Sequence, residues 1–106
     1  TGDVLNADGD KIAATIAVEL QAKTLLFLIE TAGFLTHFPD ENSLVSKITH
    51  TDIEEYLHQA QGRMKKKLLM SKKAVAHGVE NVIIADGRVT NPITKALQGG
   101  GTYVHA

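Results

Sequence analysis

Apolar and polar positions along the chain follow two periods, one of helices and one of buried strands. Apolar residues recur at helical spacing over residues 8–22, where Asp8 or Asp10 can cap the first turn. Residues 23–30 contain a continuous apolar run, which is typical of a strand covered on both faces. After a loop at 31–43, the pattern predicts strands at 44–48, 79–85 and 101–105 and helices at 51–61, 63–77 and 92–97.

Local signals support the predicted helix ends. Thr51 and Glu54 form a Thr-x-x-Glu capping pattern, Gly78 follows the helix at 63–77, and Asn91 can cap the helix that Pro92 begins. Alternating strands and helices predict an α/β fold, a three-layer α/β/α sandwich with a mainly parallel sheet. Ligands bind such sheets beyond the carboxyl ends of the strands, so we expect the chemistry at residues 5–10, at 30–38 and where the helix at 63–77 begins.

Composition restricts the class of protein. The chain has 106 residues, 43% hydrophobic and 22% charged, with a net charge of −1, which suits one soluble globular unit. The charge balance favours neither nucleic acid nor a membrane surface as partner, and the longest apolar run, at 25–29, is too short to cross a bilayer. There are no cysteines, which excludes disulfides and thiolate metal sites. Because the first residue is Thr1, we expect the chain to have been processed or cut from something longer.

The acidic residues around Gly9 first suggest a calcium loop. Such a loop has glycine in sixth place, ligands in the first positions and glutamate in the twelfth. With Gly9 sixth, the first position would be Val4 and the twelfth Thr15, neither of which offers a carboxylate. The acids at Asp8 and Asp10 therefore need another explanation.

The helix at 63–77 is strongly basic, with no acid from Gly62 to Val79. A solvated face is the ordinary explanation of such a run of charge. At 100° per residue, however, the cations do not share one face. Lys67 falls on the half-buried side, where it needs an anion such as Asp8 or a phosphate. We expect four other lysines to point to water: Lys65, Lys66, Lys72 and Lys73.

Other conspicuous residues leave two explanations open. Phe34 and Phe38 can anchor a loop in the core or clamp an adenine. The glycines at 99–101 can cradle a phosphate or form a flexible turn that leads into a strand. The histidines show no ligand spacing, so we expect no metal site on the protein.

Four segments together resemble the carboxyl-terminal half of the amino-acid kinase family: NADGDKIAATIA, LLFLIETAGFL, GRMKKK and DGRVTNPITKALQGGGT. Within this family the chain is most similar to the acetylglutamate kinase branch, and especially to kinases of aminoadipate or glutamate held on a small carrier protein. The resemblance covers nearly the whole chain in the same order. It implies that residues 1–106 are the nucleotide-binding half of a kinase domain whose amino-terminal lobe this chain lacks.

The resemblance also implies roles for individual residues. In the family's N-x-D motif the asparagine, here Asn6, lies at the acceptor substrate and the aspartate, here Asp8, orients two catalytic lysines. In the G-x-M-x-x-K motif the lysine, here Lys67, steadies the phosphoryl group in transit. We expect nucleotide contacts at six positions: Glu30, Gly33, Phe34, Phe38, Gly62 and Met64.

The implied reaction is ATP- and Mg²⁺-dependent phosphorylation of the side-chain carboxylate of N-acylated glutamate or carrier-bound aminoadipate, in arginine or lysine biosynthesis. The resemblance further implies a cytoplasmic enzyme that is homo-oligomeric when complete, with a small-molecule or carrier-bound substrate. A catalytically silent regulatory module that binds nucleotide or an amino acid is the alternative. Two departures from the family pattern favour it, since Ile29 replaces Thr or Ser and Glu30 replaces Asp.

Overall fold

A computed structural model describes residues 4–6 and 23–106, and its centre is a five-stranded sheet in the order β1-β2-β4-β5-β3. Three of the four strand pairs are parallel, and only β4 and β5 run antiparallel. The strands are β1 (Val4–Asn6), β2 (Thr24–Ile29), β3 (Lys47–Thr49), β4 (Asn81–Asp86) and β5 (Thr102–His105). The helices are α1 (Ile53–Gln59), α2 (Gly62–Ala76) and α3 (Pro92–Leu97), with a 3-10 turn at Glu41–Ser43.

Helices cover both faces of the sheet, because β2 and β4 are apolar on both sides. Leu25 and Phe27 of β2 pack with Leu68 and Val75 of α2 on one face. Residues of β2 and β4 pack with Ala96 of α3 on the other face. The sheet is therefore covered by an apolar layer on each face, as is usual for a mainly parallel sheet. The predicted three-layer α/β/α sandwich is confirmed.

The register of the sheet brings the carboxyl ends of β2 and β4 and the start of β5 to the same end of the sheet. Ile29 at the end of β2 lies opposite Asp86 at the end of β4, so the two parallel strands end at the same level. Thr102, the first residue of the antiparallel β5, pairs with Ile84 near that same end. The loops that follow β2 and β4 and the loop that precedes β5 therefore meet there.

Three of the four predicted helices, those at 51–61, 63–77 and 92–97, are present, but two predicted caps are not. The basic helix is shifted by one residue, and the helix expected at 51–61 is the shorter α1. The capping box at Thr51 is wrong: Thr51 shares a hydrogen bond with Thr49, and Glu54 forms an ion pair with Lys72 instead. Asn91 precedes α3 as expected, yet it has a left-handed φ of 52° and makes no capping hydrogen bond through its side chain.

The strands show one shift and one omission. The edge strand expected at 44–48 is at the edge but comprises Lys47–Thr49, because Leu44 instead bridges Leu35 across the preceding loop. Strand β1 was not predicted, since three residues give too short a pattern. The predicted helix at 8–22 lies outside the described residues.

Candidate functional site

A cavity of about 500 Å³ opens between the loop after β2 and the turn that joins α1 to α2. Its volume falls within the range of small-molecule sites. The wall is mixed, with apolar side chains beside hydroxyl, amide and imidazole groups that can orient a ligand. The lining residues are Thr31, Gly33, Leu35, Thr36, His37, Phe38, Gln59, Ala60, Gln61 and Met64.

Half of the six predicted nucleotide contacts line this cavity, namely Gly33, Phe38 and Met64. Phe38 is 71% exposed, so its ring is accessible to a ligand. Gly62, with a left-handed φ of 57°, begins α2 beside the cavity wall. Glu30 is exposed directly after β2.

Gly33 is required by a close approach of two segments. A Cβ at this position would lie 2.8 Å from the Thr102 hydroxyl and 2.8 Å from the Leu44 side chain. Only a residue without a Cβ lets the loop pass this close to the start of β5. The glycine therefore shapes the cavity wall.

Phe34 does not face the cavity. Its side chain is 2% exposed and its ring packs edge-on against Tyr56 of α1, with 5.7 Å between the ring centroids. The ring of Phe34 therefore packs in the core and does not line the cavity, and its predicted nucleotide contact stays a prediction. Of the two explanations left open for Phe34 and Phe38, the core anchor fits the former.

Lys67 occupies the half-buried position that the helical angles predicted. Its Nζ lies 5.9 Å from the centroid of the Phe27 ring in β2, within the range of a cation–π contact. Leu68 and Ser71 beside it on α2 are fully buried, and the Ser71 hydroxyl donates to the Lys67 carbonyl at 2.7 Å. The ammonium group of Lys67 is thus held over the sheet, above the fourth residue of β2.

The other lysines of α2 divide differently from the prediction. Lys65, Lys66 and Lys73 are exposed as expected. Lys72 is half-buried, since it reaches α1 and forms an ion pair with Glu54. The prediction that Lys72 points fully to water is therefore wrong.

The N-x-D segment is only partly described. Asn6 is the last residue of β1, and its backbone lies opposite Leu26, one residue before the Phe27 over which Lys67 lies. Position 6 therefore lies at the carboxyl end of β1, level with the middle of β2. Asp8 lies outside the described residues, and its predicted role stays a prediction.

An ionic group that the sequence analysis missed lies at the carboxyl end of β4. The Arg88 guanidinium donates two hydrogen bonds of 2.9 Å to the Asp86 carboxylate, which also accepts from the Arg88 backbone N–H at 2.8 Å. These side-chain hydrogen bonds hold the pKa of Asp86 below its usual value and raise the pKa of Arg88. Arg88 Nη2 also lies 3.8 Å from Glu41 of the loop after β2.

Over residues 4–6 and 23–106, no three acidic or histidine side chains converge in a way that could hold a metal ion. None of the helices in the same ranges has the length and hydrophobicity that crossing a bilayer requires.

Comparisons with known proteins agree with the resemblance of the sequence. The profile of the Amino acid kinase family matches residues 1–86. The chain is 48% identical over 103 residues to the [LysW]-aminoadipate kinase of Deinococcus radiodurans, covering 97% of this chain and 35% of that protein. It is also 48% identical over 104 residues to the [LysW]-aminoadipate kinase of Thermus thermophilus, covering 96% of this chain and 39% of that protein.

The fold has counterparts among solved structures. N-acetylglutamate synthase from Neisseria gonorrhoeae, in complex with coenzyme A and N-acetyl-glutamate, superposes with a TM-score of 0.80 at 24% identity. The superposition covers 92% of this chain and 23% of that one, and it shows a shared fold. The chain spans little more than a third of the length of the two curated kinases described above. On the family profile and these relatives, the chain belongs to the amino acid kinase family.

Proposed function

We propose that this chain is the nucleotide-binding half of an ATP-dependent kinase that phosphorylates the side-chain carboxylate of carrier-bound aminoadipate or glutamate. The observation that carries the proposal is the half-buried Lys67, which lies on α2 one turn after Met64 in the wall of a cavity of nucleotide-compatible size. The names of the relatives, [LysW]-aminoadipate kinase, support the acceptor. The experiment must distinguish these carrier-bound acceptors from the related acceptor N-acetylglutamate.

The reaction joins two anions. A carboxylate oxygen of the acceptor forms a bond to the γ-phosphorus while the bond to the β,γ-bridging oxygen breaks, which gives an acyl phosphate and ADP. Because little covalent chemistry falls to the protein, catalysis depends on in-line positioning and on neutralising charge at the transferring group. A lysine ammonium is a compact point charge suited to this task.

The described residues suggest a division of labour. Phe38 and Met64 would contact the base of the nucleotide, with Gly33 allowing close approach of the loop backbone. Glu30 and Gly62, which precede or follow the lining residues Thr31 and Gln61 in the chain, would contact the nucleotide from beside them. Lys67 would neutralise the phosphoryl group, whose charge develops in the transition state. By the family resemblance, Asp8 would hold Lys67 and Asn6 would contact the acceptor.

Mg²⁺ would enter with the nucleotide. This ion keeps several waters and binds through phosphates and one or two carboxylates, so it needs no dedicated protein cage. The absence of a metal cluster among the described residues is compatible with that mode of binding. The complete enzyme is proposed to be cytoplasmic and homo-oligomeric, as in the family it resembles.

Two assays test the proposal. Acyl hydroxamate formation with ATP is measured for the complete protein on carrier-bound aminoadipate, carrier-bound glutamate and N-acetylglutamate. Turnover is expected with a carrier-bound acceptor. If only N-acetylglutamate is turned over, the carrier-bound acceptor in the proposal is wrong and N-acetylglutamate takes its place. If the protein binds nucleotide but turns over no acceptor, the silent regulatory module is favoured.

Calorimetric titration with MgATP tests the site itself. The 106-residue chain alone is expected to bind MgATP weakly and to show little or no kinase activity, because Lys67 and the loop after β2 are present while the other lobe is not. In the complete protein, Phe38→Ala should weaken MgATP binding roughly tenfold, since stacking on an aromatic ring contributes about 1 kcal/mol or more. Leu97→Ala, which removes an exposed apolar side chain of α3, is the matched control and should leave the affinity unchanged.

A further inference from the structure

The loop at residues 34–45 forms much of the cavity wall and is closed at its neck. The Val45 N–H donates to the Phe34 carbonyl at 3.0 Å, and Leu35 and Leu44 form an antiparallel bridge one step further along the loop. The loop beyond this neck carries Thr36, His37 and Phe38 into the cavity wall. The position of these three side chains therefore depends on how the neck is fixed to the rest of the fold.

A single buried hydroxyl fixes both ends of the neck. Thr102, the first residue of β5, is fully buried, and its Oγ1 accepts from the Phe34 N–H at 2.9 Å. The same hydroxyl donates to the Val45 carbonyl at 2.6 Å. One side chain thus ties together two backbone segments that are 68 and 57 residues away in the sequence.

The glycines before Thr102 explain how it reaches this position. Gly101 has a left-handed φ of 89°, and a Cβ there would collide with the Ile84 carbonyl of β4. The glycine run therefore serves a close approach of the chain to β4 where β5 begins, and it brings Thr102 under the loop. Of the two explanations left open for residues 99–101, a turn into the strand fits the structure.

We propose that Thr102 is a positioning residue for the nucleotide: its hydroxyl sets the position of the loop at 34–45 and thereby the affinity for ATP. The inference rests on the proposed function, because it assigns the nucleotide to this cavity. Thr102 is not among the residues that line the cavity and acts through Phe34 and Val45. Valine matches the shape of threonine but cannot satisfy the Phe34 N–H or the Val45 carbonyl, and unpaired buried groups are costly.

The test compares Thr102→Val with Thr102→Ser in the complete protein. Thr102→Val should raise the KM for ATP and the MgATP dissociation constant about tenfold while kcat and the acceptor KM change less than about twofold. Thr102→Ser keeps the hydroxyl and should stay within about twofold of the wild type in all four quantities. Ile83→Val, a core change on the α3 face of the sheet, controls for a general loss of stability.

A purely structural role would give another result. Thr102→Val would then lower the Tm as Ile83→Val does and leave the KM for ATP at the wild-type value, which overturns the inference. If the wild type itself binds no MgATP, the proposed function fails and the inference fails with it. Wild-type binding and turnover together with unchanged affinity in Thr102→Val would overturn the inference alone.

A measurement on the wild type covers the case in which Thr102→Val does not fold. Amide hydrogen exchange reports local opening, and a ligand that binds only the closed loop suppresses that opening. Saturating MgATP should therefore slow exchange of the Phe34 and Val45 amides by about tenfold or more, with no such change at Leu57 of α1. Exchange at the two neck amides that is unaffected by MgATP would overturn the inference.

Discussion

The two sides of α2 carry the same kind of side chain in different surroundings. On the inner side, Lys67 is half-buried and lies over the Phe27 ring. On the outer side, Lys65, Lys66 and Lys73 are exposed to water. An ammonium that is partly removed from water interacts more strongly with a nearby anion than one in bulk solvent, where screening is greatest. In the proposed function only the inner lysine, Lys67, acts on the phosphoryl group, and the exposed lysines of the same run do not.

A large loss of kcat is expected when Asp8, the proposed partner of the inner lysine, is replaced. Asp8→Asn should lower kcat on the order of 10²-fold, because it removes the charge that holds the catalytic lysine. Asparagine caps helices as well as aspartate does, so the Tm should hardly change. Hydroxamate kinetics and thermal unfolding of the complete enzyme measure both quantities.

The control for this prediction is Asp8→Ala. If Asp8 serves only as a cap, Asp8→Asn has normal kcat and Asp8→Ala is merely less stable to heat. That pair of results would separate Asp8 from the chemistry. The inner side of α2 would then differ from the outer side by burial alone.

A smaller effect, on stability rather than on kcat, is expected at Lys72, whose side chain is half-buried and reaches α1. Its ion pair with Glu54 joins α2 to α1, but the two side chains are 37% and 59% exposed. Ion pairs this exposed contribute about 1 kcal/mol or less. Lys72→Ala should therefore lower the free energy of unfolding by no more than that and leave kcat nearly unchanged.

Urea unfolding of Lys72→Ala, Glu54→Gln and the double variant measures the coupling between the two groups. A coupling well above 1 kcal/mol would show that the pair is shielded from solvent more than its exposure indicates. If Lys72→Ala lowered kcat on the order of 10²-fold, as we expect for Lys67→Ala, the distinction between the two lysines would be lost.

The smallest effect concerns pH and the carboxylate at the end of β4. Arg88 lowers the pKa of Asp86, so the pair contributes stability that is fully present above the usual aspartate pKa of about 3.9 and is lost as pH falls through the lower folded value. Arg88→Ala should be slightly less stable than the wild type near pH 7. The difference should vanish in more acidic solution, once Asp86 is protonated in both proteins.

Urea midpoints measured near pH 7 and at successively lower pH test this prediction, because the difference should shrink only below about pH 3.9. Arg63→Ala, which removes an exposed cation of α2, is the control and should show no comparable convergence. A difference between Arg88→Ala and the wild type that grows toward acid pH would contradict the assigned sign of the shift.

Much of this fold could be predicted from periodicity, because long patterns average over local exceptions. The continuous apolar run of β2 and the helical angles of α2 identified a doubly covered strand and the half-buried side of Lys67. Strand β1 could not be predicted, since three residues carry too little pattern. The helix predicted at 8–22 stays a prediction.

The details of the candidate site depended on contacts between distant segments. Nothing local indicates that Thr102 bonds both ends of a loop 57 residues or more away, or that the ring of Phe34 packs against Tyr56. The capping pattern at Thr51 failed for a similar reason, because Glu54 finds Lys72 on another helix. Tertiary partners override local signals wherever they offer better contacts.

The most direct test of the account is the kcat of Lys67→Ala against that of Lys65→Ala in the complete enzyme. Lys67→Ala should lower kcat on the order of 10²-fold or more with the acceptor KM nearly unchanged, as expected for a charge that acts on the transition state. Lys65→Ala removes an exposed lysine two residues away and should change kcat less than about twofold. Equal losses in the two variants, or a normal kcat in Lys67→Ala, would contradict the assignment of the chemistry to the inner side of α2.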